Sequence, residues 1–234
     1  MLGLEVQIPP SARAPSTPAY AVLPPGARRG LVVLHEMYGR QPEMDRVCER
    51  LGDDGFAAVQ PDLFDRSLRP ICIAGIMRAV SRGEGVAIDQ IVAARDWLAS
   101  TVKIPLDKIG VIGFCMGAGL AFAVGKSFAA VSGNYGMVPP EPVLAGSGPV
   151  IGCFGMRDRM FRKQADVLDE RLTKLGVRHE VHKFDAGHSF LTDGKHPIAE
   201  LFTQPFLALG GPPSAAEDGW KKILRFFDAE LGFR

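Results

Sequence analysis

The sequence predicts an α/β protein: a mostly parallel central sheet with helices on both faces. Short apolar runs rich in β-branched residues recur along the 234 residues. Segments with helical spacing separate them. The runs, such as LVVL and VIGF, are apolar at consecutive rather than alternate positions, as expected of strands buried on both faces. Strands joined by crossover helices pair in parallel.

The elements follow in order. EVQIP and AYAVLP read as two short strands joined by a Pro/Ser loop. LVVLHE (31–36) is a central strand, and EMDRVCERLGDDG is a helix stopped by Gly55. FAAVQPDL is the next strand. EGVAIDQIVAARDWLAS puts Ala87, Ile91, Ala94 and Leu98 on one helical face. KIGVIGFC is a strand, and GAGLAFAVGK is a small-residue helix able to sit close to a sheet. AAVSGNYG and PVIGCFGMRD are further strands. RKQADVLDERLTKLG is a helix ending at Gly176, and HEVHKFD is a strand. Ser214 and Glu217 match a capping box for a last helix that turns Trp220, Ile223, Leu224, Phe227 and Leu231 inward. Residues 64–84 and 192–213 read as irregular, candidates for a lid or substrate loops. With no repeat and no linker, a single domain over 1–234 is expected.

Composition narrows the function. Apolar residues make up 47% and charged residues 23%, with a formal net charge of +1. That fits a globular protein with a sizeable core and gives no bulk charge for nucleic acid or a membrane surface. No segment approaches the roughly 18 apolar residues of a membrane span. MLGLEVQIPPSARAPSTP lacks the basic start and apolar stretch of a signal peptide. Cys48, Cys72, Cys115 and Cys153 form no CxxC pair, and scattered thiols suit a reducing cytoplasm. HEMYG lacks the second histidine of a zincin helix, and no other grouping has metal-ligand spacing. The expectation is a cytoplasmic enzyme without metal or cofactor, monomeric or a weak homo-oligomer, acting on a small molecule.

The chemistry concentrates in IGVIGFCMGAG (109–119). A parallel strand turning sharply into a helix exposes one residue at its tip, and its neighbours must be small. This is the mechanics of G-x-S-x-G in α/β-hydrolases, where the tip residue is the nucleophile. Here Gly113-Phe114-Cys115-Met116-Gly117 puts cysteine at the tip, where the following helix favours a thiolate. The Met116 N–H would be one oxyanion donor. The same glycines also read as a G-x-x-x-G-x-G cofactor turn. That turn belongs near the N-terminus and needs a Tyr-x-x-x-Lys pair, which does not follow. A cysteine nucleophile needs a base and an orienting acid. His188 in AGHSF and Asp158 in FGMRDRM each follow a strand. The order Cys115, Asp158, His188 is that of α/β-hydrolases, and strand carboxyl ends are where open sheets bind ligands. His179, His182 and His196 fit this role less well. At the end of LVVLHE, Glu36 is placed to hydrogen-bond the thiol at rest, and the Met37 N–H to be the second oxyanion donor. Tyr38 in the same turn is a candidate substrate contact.

HEMYG, PDLF, GFCMGA, the aspartate of GMRDRM and AGHSF together resemble the dienelactone hydrolase family, the carboxymethylenebutenolidases, over roughly residues 20 to 231. The resemblance implies an α/β-hydrolase fold with Cys115, Asp158 and His188 as triad. Glu36 would match the family glutamate that contacts the thiol and helps activate it when substrate binds. The implied reaction opens a strained unsaturated lactone to a dicarboxylic acid in aromatic-compound breakdown. The family binds the substrate carboxylate with two arginines. One lies four residues after the histidine, where this chain has Thr192. The other should come from the loop after PDLF, with Arg66, Arg69, Arg78 and Arg82 as candidates. Losing half of such a clamp shifts the expectation toward a different ester, lactone or thioester. A non-catalytic binding protein on the same scaffold is the third reading, opposed by the intact Cys, Asp and His.

Overall fold

The computed structural model describes residues 1–64, 69–192 and 208–232, with the backbone alone at 69–71. Strands β1 (Leu4–Ile8), β2 (Thr17–Val22), β3 (Gly30–Leu34), β4 (Ala57–Pro61), β5 (Ile109–Phe114), β6 (Val131–Asn134), β7 (Val150–Gly155) and β8 (His179–Phe184) form one sheet. Their spatial order is β1-β2-β4-β3-β5-β6-β7-β8. β1 and β2 pair antiparallel, and β3 to β8 run parallel. The described helices are α1 (Pro42–Asp53), α2 (Arg69–Arg82), α3 (Val86–Val102), α4 (Met116–Ala123), α5 (Glu141–Leu144), α6 (Gln164–Lys174) and α7 (Pro213–Leu231).

Strands β3, β5 and β7 bury both of their faces, as their apolar runs require. In β3, Val32 and Leu34 join the core under α2, α3, α4 and α6. Leu31 and Val33 join the opposite core under α1 and α7. α3 buries Ile91, Ala94 and Leu98 as its spacing predicts. α7 buries Trp220, Ile223, Phe227 and Leu231, together with Phe226, and leaves Leu224 half-buried. Arg29, itself buried, ties α7 to the sheet through Asp228 and through the Gly232 carbonyl at 2.9 Å. Among the described residues no helix is long and apolar enough to cross a membrane.

Three local expectations change. β3 ends at Leu34, so His35 and Glu36 lie beyond the strand, where the chain turns. α7 is capped by Pro212 without a side-chain hydrogen bond, which puts Ser214 inside the first turn rather than at the cap. Within the supposedly irregular 64–84, α2 forms and buries Ile76, Ala79 and Val80. Its Arg-Pro start and mid-helix Gly75 read as loop chemistry. Packing against α4 and α3 supplies what propensity lacks. Of the second irregular stretch, 193–207 lie outside the described residues.

Candidate active site

The candidate site is assembled at the carboxyl ends of β3, β5, β6, β7 and β8. Register puts the first two tips side by side. Leu34 pairs with Gly113, so Glu36 and Cys115 each lie two residues past a paired position. Cys115 caps α4 with φ +53° and ψ −113°, a conformation that costs energy in a non-glycine residue. Its N–H donates to the Asn134 carbonyl at 3.0 Å. Two glycines make the turn possible. A Cβ at Gly113 would lie 2.1 Å from the Gly117 carbonyl oxygen, and one at Gly117 would lie 2.3 Å from that of Leu34. The first turn of α4 is therefore pressed onto the tip of β3, which brings the neighbourhoods of Met37 and Met116 together.

Asp158 follows β7 and is wholly buried. Its Oδ1 accepts the backbone N–H groups of Met160 and Phe161 at 3.0 and 3.1 Å. Its Oδ2 is 2.6 Å from Nδ1 of His188. His188 follows β8. Its N–H donates to the Ala208 carbonyl, and its carbonyl accepts the Gly210 N–H at 2.7 Å. The ring packs between Tyr135 and Phe161, with centroids at 5.0 and 5.3 Å. Burial opposes charge on this ring. The Cys115 sulfur and the Asp158 carboxylate outweigh it and lift the imidazole to about 10. The structure thus brings Cys115, His188 and Asp158 into one chain of contacts.

Glu36 is buried, but hydroxyls hold it. Its Oε1 accepts Ser189 Oγ and Thr192 Oγ1, each at 3.1 Å. Tyr135, 3.2 Å from Thr192 through its own hydroxyl, closes the cluster. Burial, with the Glu36 charge next, pushes the Tyr135 phenol well up. Tyr38 is half-buried beside the site. Burial raises its phenol, and the charges of Cys115 and Glu36 add to it. Met37 is exposed on the turn and Met116 is half-buried. Arg78 and Arg82 are exposed on α2, and neither has a described contact with the Cys115 group. Arg66 and the side chain of Arg69 lie outside the described residues.

Sequence reasoning missed Ser189 and Tyr135 as partners of Glu36. Ser189 had a signal, since it adjoins the histidine. Tyr135 had only its place just past β6. Thr192, read as a lost arginine, turns out to hold Glu36. The other thiols differ in setting: Cys48 and Cys153 are fully buried, and burial raises both. Among the described residues no group of histidine, cysteine or acidic side chains could hold a metal ion.

Comparison with known proteins agrees with this architecture. Residues 17–231 match the model of the dienelactone hydrolase family. A carboxymethylenebutenolidase of Rhodococcus opacus is 27% identical over 227 residues, covering 88% of this chain and 83% of that protein. A dienelactone hydrolase-like promiscuous phosphotriesterase from metagenomic libraries superposes with a TM-score of 0.78 at 22% identity, over 98% of both chains. The dienelactone hydrolase of Anabaena variabilis superposes with a TM-score of 0.65 at 18% identity, over 99% of this chain and 100% of that one. With a mostly parallel sheet of hydrolase topology and a family match over nearly its whole length, the chain belongs to the dienelactone hydrolase family, hydrolases that act on ester bonds.

Proposed function

We propose that this protein hydrolyses a carboxylic ester or lactone through a thioester on Cys115, with His188 as base and acid and Asp158 as its orienting group. The observation that carries this reading is the strained tip at Cys115, joined to a buried His188 whose Nδ1 lies 2.6 Å from Asp158. With the thiol proton held on Nε2 of His188, the sulfur adds to the carbonyl carbon. The carbonyl π electrons move to oxygen, and the Met37 and Met116 N–H groups donate hydrogen bonds to that oxyanion. Collapse breaks the C–O bond, and the leaving alkoxide takes the proton from His188. Water, deprotonated by the same ring, then adds to the thioester, releases the acid and restores the thiol. In a lactone the alcohol and the acid leave as one molecule.

The Rhodococcus opacus relative, by its name, favours a lactone substrate. Thr192 favours one that does not depend on a two-arginine clamp for its carboxylate. Turnover on a panel of lactones, simple esters and thioesters ranks these, and rapid quenching with mass spectrometry locates the intermediate. The expected result is a mass gain of one acyl group on the peptide containing Cys115. Burst kinetics with the acyl group on any other residue would sink the reading.

Glu36 tunes the resting thiol in this reading. Glu36→Gln keeps an oxygen for Ser189 and Thr192 and removes the charge. Loss of a nearby anion favours the thiolate, so alkylation of Cys115 at neutral pH should speed up by about three- to tenfold. Turnover should fall, because the activation of the thiol that depends on the Glu36 charge is lost. Overlapping alkylation profiles against pH, with unchanged turnover, would reduce Glu36 to a turn residue.

A further inference from the structure

His35 is the first residue after β3 and is wholly buried, yet it takes no part in the proton transfers above. Both of its ring nitrogens are committed. The Leu63 N–H lies 3.1 Å from Nε2. A backbone N–H only donates, so Nε2 carries the lone pair and the proton sits on Nδ1. Nδ1–H then donates to the Glu36 carbonyl oxygen, 2.8 Å away. The same oxygen accepts the Gly39 N–H at 3.1 Å. Burial, which disfavours charge on the ring, keeps this neutral form. The Phe64 ring, with its centroid 5.1 Å from that of His35, packs alongside.

The consequence falls on the next peptide. No peptide bond in the described chain is cis, and in a trans peptide the C=O and N–H point in opposite directions. Holding the Glu36 carbonyl toward His35 therefore turns the Met37 N–H away from it. A Cβ at Gly117 would lie 2.3 and 2.7 Å from the carbonyl oxygens of Leu34 and His35, so the first turn of α4 sits directly against this tip. Among the described residues nothing accepts the Met37 N–H. We infer that His35 is a positioning residue: its Nδ1–H pins the Glu36–Met37 peptide so that the Met37 N–H faces the oxygen of a carbonyl attacked by Cys115. Without that bond only the Gly39 N–H holds the carbonyl. The peptide then turns over, which puts a carbonyl oxygen where a developing negative charge needs a donor.

The inference rests on acyl transfer at Cys115, and two isosteric variants test it separately from that reading. His35→Gln places an oxygen at the Nε2 position for Leu63 and removes the Nδ1 donor. His35→Asn places an amide N–H at the Nδ1 position and removes the acceptor for Leu63. Loss of one oxyanion donor should lower kcat for ester hydrolysis in His35→Gln by about 10²-fold with KM little changed. His35→Asn should recover kcat to within about tenfold of the parent. Iodoacetamide alkylation of Cys115 forms no oxyanion, so its rate should stay within about twofold in both variants. A kcat near that of the parent in His35→Gln, or an equal collapse in His35→Asn with alkylation intact, overturns the role of His35. If His35→Gln does not fold, the result for His35→Asn alone decides. Failure of the parent Cys115 to alkylate faster than the other thiols would instead remove the acyl-transfer reading itself.

Discussion

Cys115→Ala should fold as the parent does and lose hydrolysis by about a thousandfold or more. The deleted group is one sulfur on a half-buried residue, so the cost in stability is small. The turn keeps its shape, because Gly113 and Gly117 rather than the thiol make room for it. What goes is the atom proposed to form the thioester. Thiol labelling of the intact parent supplies the companion result: Cys115 reacts first, while Cys48 and Cys153, fully buried and with raised pKa values, stay unmodified in the folded protein. Cys115→Ser should also be severely impaired, because an alcohol asks far more of His188 than a thiol does. Residual activity within tenfold of the parent in the alanine variant would rule out a nucleophilic Cys115.

Asp158→Asn should lower turnover by about 10³- to 10⁴-fold while leaving the fold in place. The new amide oxygen can still accept the Met160 and Phe161 N–H groups that now bind Oδ1. Its NH₂ then faces Nδ1 of His188 and donates to it. The neutral ring is driven to the tautomer protonated at Nε2, which cannot take a proton from the thiol. The change also appears in stability against pH. The folded pKa of His188, about 10, lies above its ordinary 6.5. Its favourable contacts thus contribute in full below about pH 6.5 and are lost as pH rises through 10. Removing the carboxylate removes one of the causes of that elevation. Urea midpoints measured from pH 6 to 10 should therefore fall less steeply on the alkaline side in Asp158→Asn. Parallel pH curves with undiminished turnover would show that Asp158 merely caps its loop.

The fold class and the convergence of Cys115, Asp158 and His188 were legible because their signals are local. A turn at φ +53° whose backbone approaches closer than a Cβ permits needs glycine on both sides, and Gly113-Phe114-Cys115-Met116-Gly117 supplies it. A strand buried on both faces needs consecutive apolar residues, and β3, β5 and β7 have them. Tertiary structure alone decided the environments of Glu36 and His35. Ser189 and Thr192 meet Glu36 across 153 and 156 residues of chain, and Leu63 meets His35 across 28. Those pairs arise because β4 and β5 flank β3 and because the turn after β8 folds back over it. Hydroxyl residues are common and can donate in many geometries, so their identity in the sequence carries no sign of a partner. α2 was hidden for a related reason, since packing onto α4 and α3 rather than its own propensity makes it helical. Elements that the backbone itself demands leave a mark in the sequence. Contacts made only when distant strand tips converge leave none.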